Sequence, residues 1–169
     1  MNLNRNKLSR TVAAALTALF IGVATLACGE AGPDTSLDTP TTRIRTIENI
    51  QAVFDLIPAD AHRDMMEMMG GAESISHEHA LHVGSQYILL TLTDVGARGA
   101  TITDADVQFA ITGPDGKSLA EGGHVMSGKG MHHYAVGFDG KTSGTYQVQA
   151  TITRGGKTVT QTVAFDITN

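Results

Sequence analysis

The histidines and methionines of this chain are confined to one part of the sequence. All seven histidines lie between His62 and His133, and every methionine except Met1 lies between Met65 and Met131. Imidazole and thioether groups are borderline or soft ligands, which suit Cu(I) and suit Mg²⁺ or Ca²⁺ poorly. The clustering therefore indicates a site for a soft metal ion.

One group of candidate ligands precedes a predicted strand that begins near residue 86. It consists of His77, His79 and His82. In an extended segment His77 and His79 point to the same side, so that two imidazoles can close on one metal ion, and His82 joins them only if the chain bends. The alternative is a polar loop whose histidines are solvated.

A second group surrounds the glycine-containing turn at residues 127–130. Its members are His124, Met126, Met131, His132 and His133. The turn predicts a hairpin or loop that brings the two halves of the group together. In the strand that follows, His132 is in phase with the apolar positions from Tyr134 onwards, whereas Met131 and His133 face the opposite side. A half-buried core histidine explains one member, but five such side chains within ten positions favour a metal site.

A short predicted helix carries further histidine and methionine side chains on one face. His62, Met65, Met66 and Met69 have the spacing i, i+3, i+4 and i+7. Because methionine is an adaptable filler of apolar gaps, packing against the rest of the protein is the favoured interpretation of this face. We therefore leave it outside the predicted ligand set.

The N-terminus has the layout of an export signal. Three basic residues before residue 11 are followed by an uncharged, largely apolar run. This predicts a signal peptide over residues 1–27 rather than a membrane-spanning helix, which needs about 20 apolar residues. Cleavage of the signal lowers the formal net charge from −5 to −8, which argues against nucleic-acid binding.

The only cysteine, Cys28, follows the predicted signal directly, in a context that resembles a bacterial lipobox despite Thr25 at its first position. The resemblance implies a lipidated Cys28 and a membrane anchor, and Gly29 resembles the sorting position of outer-membrane lipoproteins. Cleavage that leaves a free thiol is the alternative. Residues 28–45 are expected to form the tether, because they are polar and contain proline without apolar periodicity.

The remaining sequence predicts a mainly β protein. An antiparallel sandwich of immunoglobulin or cupredoxin type is expected over residues 72–169, preceded by one or two short helices within residues 46–71. Apolar residues at spacings of three and four from Ile47 to Ile57 suggest the first helix, and Ala61–Met69 the second. Residues alternate in the predicted strands, and the chain ends in a hairpin across Arg154–Lys157.

The segment from Met126 to Tyr134, followed by the strand Gly144–Val148, resembles YtkA-like and related copper-handling periplasmic domains. The resemblance implies a soft-metal role for Met126, Met131, His132 and His133. No nucleophile motif supports an enzyme, and a blue-copper centre would need a cysteine thiolate in the domain. We expect a non-enzymatic envelope lipoprotein that binds copper as a chaperone, buffer or resistance factor. Zinc or nickel bound by histidines alone is one alternative, and an interaction module that docks on an envelope complex is the other.

Overall fold

The computed structural model describes residues 37–69 and 84–169. In this part of the chain there are ten β-strands and one α-helix. In chain order they are β1 (Thr42–Ile47), β2 (Ile50–Pro58), α1 (Ala59–Met69), β3 (Gln86–Asp94), β4 (Ala100–Thr101), β5 (Asp106–Thr112), β6 (Ser118–Gly122), β7 (His124–Gly128), β8 (Met131–Phe138), β9 (Gly144–Arg154) and β10 (Lys157–Ile167).

The strands form two antiparallel sheets that pack as a sandwich, as the sequence predicts. The first sheet has the strand order β1-β2-β3-β8-β7, with β4 beside β3, and the second has the order β10-β9-β5-β6. Alternate residues of both sheets point into the main core, which includes Phe54, Leu90, Val136, Tyr146 and Phe165. Because the inward side chains follow a period of two, the strands that contribute to the main core are fixed in register by it.

The first predicted helix is wrong. Residues 42–58 form the hairpin β1–β2, with Ile47 paired to Ile50 around a turn in which Glu48 has φ 51°. The apolar residues of this segment fit both a helical and a strand period, but Ala52, Phe54 and Leu56 are buried with a period of two. β-branched and aromatic side chains favour a strand, and pairing of β2 with β3 decides the outcome.

The predicted boundaries of the tether and the sandwich also need correction. The sequence predicts the tether at residues 28–45 and the sandwich at 72–169, but β1 already begins at Thr42 and belongs to the first sheet. Asp38 binds the Arg45 guanidinium with both carboxylate oxygens and accepts a hydrogen bond from the Ile44 amide. The sandwich therefore starts before α1, which is inserted between two of its strands instead of preceding it.

Other predicted elements are confirmed. The helix at Ala61–Met69 exists and begins two residues earlier, and the strand centred on Leu90 is buried on both faces. The turn between β7 and β8 places Lys129 and Gly130 at positive φ, as a tight hairpin requires. The predicted signal peptide, Cys28 and the histidines at 77, 79 and 82 lie outside the described residues. Within residues 37–69 and 84–169, no helix is long and apolar enough to span a membrane.

Candidate functional site

A second apolar cluster lies on the outer face of the first sheet, which is the face turned away from the second sheet. Helix α1 covers this face, and five methionines meet between the helix and the sheet. Met66, Met69 and Met126 are buried, whereas Met65 and Met131 are partly buried. Leu89 and Ala135 complete the buried part of the cluster. The packing buries α1 against the sheet and at the same time brings thioethers from distant parts of the sequence together.

We call the following set the donor layer: His62, Met65, Met66, Met69, His124, Met126, Met131 and His133. From one end of the donor layer to the other, successive residues of α1 face successive residues of β7. His62 lies beside His124, Met66 and Met126 share the buried cluster, and Met69 reaches Gly128. The layer therefore has an imidazole end at the start of α1 and a thioether end at its last turn.

Gly128 allows the last turn of α1 to approach β7 closely. A Cβ atom at this position would lie 2.9 Å from the carbonyl oxygen of Met69 and 3.2 Å from its Cβ atom. Both distances are shorter than ordinary van der Waals separations of about 3.5–4.0 Å between carbon atoms. The absence of a side chain at Gly128 is thus what sets the distance between the methionines of α1 and those of the sheet.

The imidazole end is built from His62, Tyr87 and His124. The His62 ring stacks on the Tyr87 ring, with centroids 3.8 Å apart and planes at 4°. The His62 and His124 centroids are 6.3 Å apart with nearly perpendicular planes. Since metal–nitrogen bonds are ~2.0–2.1 Å long, two imidazoles on opposite sides of one metal have centroids roughly 6 Å apart. The centroid separation of His62 and His124 is of this size.

The Nε2 atom of His62 is buried and has no hydrogen-bond partner among the described residues. Burial also lowers the pKa of His62 below its ordinary value, which favours the neutral ring. A buried imidazole nitrogen without a partner carries a desolvation cost of about 1–3 kcal/mol, and a metal ion can offset that cost. This nitrogen is therefore a candidate donor atom for a soft metal ion.

His133 stands in the middle of the outer face, directly opposite Met126 in the β7–β8 register. Its Nδ1 atom lies 2.9 Å from the hydroxyl oxygen of Thr91 on β3. Burial lowers the pKa of His133, while the negative charge of Asp55 raises it and the neighbouring His132 lowers it. The net shift is downward, so the ring favours its neutral, metal-binding form.

His132 does not join the donor layer. As its alternation predicts, it lies on the same side of β8 as Tyr134, and the two rings meet edge to face with centroids 5.1 Å apart. Its Nε2 atom is buried without a hydrogen-bond partner in the described part of the chain, and burial lowers its pKa. The first sheet therefore stands between His132 and the methionines.

The structure brings four of the sequence-predicted ligands onto one face: His124, Met126, Met131 and His133. It adds the helix face of His62, Met65, Met66 and Met69, which the sequence analysis assigned to packing. The helical spacing of these four residues indicates that they share one face, but nothing in the sequence indicates that this face covers β7 and β8. The same face of α1 thus packs against the sheet and brings its methionines close to Met126 and Met131.

The donor layer differs from the commonest metal sites in its chemistry. Within residues 37–69 and 84–169, no group of three or more His, Cys, Asp or Glu side chains is arranged to hold a metal ion. A site here must consequently rely on thioether sulfur together with imidazole nitrogen. Such a donor set matches soft ions and offers little to hard cations, which prefer oxygen ligands.

Solved structures of other proteins share this fold. A DUF4426 family protein from Pseudomonas aeruginosa is 11% identical, with a TM-score of 0.59 over 77% of this chain and 97% of that one. FetP from uropathogenic Escherichia coli, produced in the periplasm, is 13% identical, with a TM-score of 0.53 over 75% and 93%. A copper-bound variant of FetP is 11% identical, with a TM-score of 0.55 over 76% and 90%.

The likeness establishes a common fold. No protein-family model matches the chain, and no curated protein matches its sequence. At 11–13% identity these structures show how the strands are arranged and leave the chemistry of the site to the residues of this chain.

Proposed function

We propose that this protein binds Cu(I) in the donor layer between α1 and the first sheet, and that it acts as a copper chaperone, buffer or resistance factor. Copper is then a cargo that the protein takes up and passes on. The observation that carries the proposal is the buried Nε2 atom of His62, which has no partner among the described residues and belongs to the helix that contributes to the cluster of five methionines.

The chemistry of the donor layer favours Cu(I) over other ions. Thioethers bind Cu(I) well and bind Zn²⁺ or Ni²⁺ poorly, and the lowered pKa of His62 and His133 keeps both rings neutral. Neutral ligands without a thiolate hold a metal ion less tightly than a closed cysteine cage, which suits a protein that must release its cargo. Zinc or nickel would use the imidazoles and leave the five thioethers without a role.

The structural neighbours support an envelope setting and a connection with copper. FetP was produced in the periplasm, and one of its variants is copper-bound. We extend this to a periplasmic, non-enzymatic protein anchored to the outer membrane by lipid on Cys28. Its partner is expected to be another envelope protein that receives or supplies Cu(I).

A Cu(I) competition titration tests the proposal. The full chain, purified in detergent under reducing conditions, competes for Cu(I) with a coloured chelator. We expect a dissociation constant below about one micromolar. Replacing Met126 by Leu keeps the volume of the side chain, costs less than about 1.5 kcal/mol of stability, and should weaken Cu(I) binding at least tenfold.

Met68 supplies the matched control. It belongs to the same helix, but its side chain is 59% exposed and faces away from the sheet. Met68→Leu should leave Cu(I) binding unchanged. Binding weaker than micromolar by the wild type, or equal losses in M126L and M68L, would refute the proposed site. Zn²⁺ binding that survives both substitutions would favour the alternative based on histidines alone.

The interaction-module hypothesis requires the methionine face of α1 to be available to a partner. Met66 and Met69 are instead buried against the sheet. A partner could reach them only by displacing the helix, so the packing observed here favours the metal-binding hypothesis.

A further inference from the structure

We propose that Thr91 and Asp55 are positioning residues for His133, which they hold in the tautomer with the proton on Nδ1 so that Nε2 is available to a metal ion beside Met126. This inference deepens the proposed function and rests on it. Neither Thr91 nor Asp55 would contact the metal ion.

Three neighbouring strands, β3, β8 and β7, place His133 between Thr91 and Met126. The paired residues Leu90 and Tyr134 fix the register of β3 and β8, so the next outward residues, Thr91 and His133, are also neighbours. His133 is paired in turn with Met126 on β7. A hydroxyl, an imidazole and a thioether therefore lie in one row across the outer face of the sheet.

The contact with Thr91 orients the His133 ring. Contact between Nδ1 and the Thr91 hydroxyl turns that side of the imidazole towards β3. The other nitrogen, Nε2, is on the opposite side of the ring and further from the backbone. It is thus left on the side of β7 and α1, where Met126 lies within the buried methionine cluster.

The charge of Asp55 determines which nitrogen of His133 carries the proton. A threonine hydroxyl can donate or accept, so the contact with Thr91 alone allows both tautomers. Asp55 lies on β2, beyond β3, and its negative charge acts on the His133 ring. Because the Nδ1 side of the ring is turned towards β3 and the Nε2 side towards β7, a proton on Nδ1 lies on the side of the ring that faces β2 and this carboxylate. The charge therefore favours Nδ1–H donating to Thr91, with a lone pair on Nε2.

Asp55 is itself held in place. Its carboxylate accepts a hydrogen bond of 2.7 Å from the Thr42 hydroxyl on β1. The carboxylate, the Thr91 hydroxyl and the ring thus lie on successive strands, and the sandwich fixes all of them before any metal binds. Metal-binding histidines are commonly oriented in this way by a partner on the second nitrogen, and loss of such a partner typically costs ~10–100-fold in metal affinity.

Nitrogen NMR of the metal-free full chain in detergent tests the tautomer without copper. We expect the wild-type His133 to carry its proton on Nδ1. Thr91→Val and Asp55→Asn should shift the ring towards the Nε2–H form, and Thr91→Ser should restore the wild-type spectrum. Thr93→Val makes the same chemical change on the same face of β3, two residues away, and should leave the His133 signals unchanged.

The Cu(I) competition titration then measures the consequence. We expect T91V to weaken Cu(I) binding by ~10–100-fold and T91S to bind like the wild type, with similar thermal unfolding of both variants. An Nε2–H tautomer in the wild type, or an unchanged tautomer in T91V, overturns the inference even if copper binds. A tautomer shift in T91V together with no Cu(I) binding by the wild type instead refutes the proposed function and leaves the orientation of the ring established.

Discussion

The close approach of α1 to β7 at Gly128 leads to a quantitative prediction. In Gly128→Ala the new Cβ atom would meet the Met69 carbonyl oxygen at 2.9 Å and the Met69 Cβ atom at 3.2 Å. Restoring ordinary separations of about 3.5–4.0 Å requires the last turn of α1 to move away by roughly half an ångström. Overpacking of this kind costs about 1–3 kcal/mol, so the free energy of unfolding should fall by that amount.

The same substitution should weaken copper binding. In the metal-free protein α1 relieves the clash by moving away from the sheet, which separates Met66 and Met69 from Met126. A metal ion held by these side chains would have to bring the helix back and restore the strain. If about 1.4 kcal/mol of that strain returns, the Cu(I) affinity falls tenfold. Urea denaturation and Cu(I) competition on the same preparation measure the two effects.

Gly130→Ala separates the steric effect from a general loss of stability. Gly130 has a φ of 82°, and apart from its two chain neighbours no atom of the described residues lies within 4 Å of the position of an added Cβ. Its substitution should cost about 1–2 kcal/mol through the left-handed backbone conformation, with the Cu(I) affinity unchanged. Wild-type affinity in G128A, or an equal loss in G130A, would show that the spacing between α1 and β7 does not control the site.

Three further predictions concern stability. The histidines whose pKa burial lowers are His62, His132 and His133. Below about pH 6.5 the unfolded chain therefore binds protons that the folded chain does not, and the metal-free protein should melt at a lower temperature at pH 5.5 than at pH 7.5; an unchanged melting temperature would contradict this. Asp38→Asn should lower the free energy of unfolding by ~1–3 kcal/mol in urea, because it weakens the bonds to Arg45 that secure β1. Phe54→Ala should cost ~3–5 kcal/mol by the same measurement, since Phe54 is fully buried between the sheets, and a cost below 1 kcal/mol would place it outside the core.

The sequence predicts the β-sandwich well where a strand has one clear period. The final hairpin and β5 alternate without ambiguity and end in glycine-containing turns, and the structure confirms them. The segment from Ile47 to Ile57 carries apolar residues that satisfy two periods at once. Its true period depends on pairing between β2 and β3, which are separated along the chain by α1. The spacing of apolar residues within the segment cannot show which of the two periods is correct, because the choice depends on the partner strand β3.

The candidate site can likewise be predicted from the sequence only in part. Alternation along β8 is enough to predict that His132 and His133 face opposite sides of the sheet. It cannot reveal that α1 covers the outer face, because that depends on where the chain crosses after β2. The close approach at Gly128 and the contact between Thr91 and His133 could not be predicted either, since a close approach and a hydrogen bond between strands exist only after the sheet has formed.

The first sheet separates two layers that share no side chain. The main core lies on one side of it, and the methionine cluster lies on the other. Substitutions in the outer layer can consequently change which side chains meet beneath α1 while the main core keeps the two sheets together.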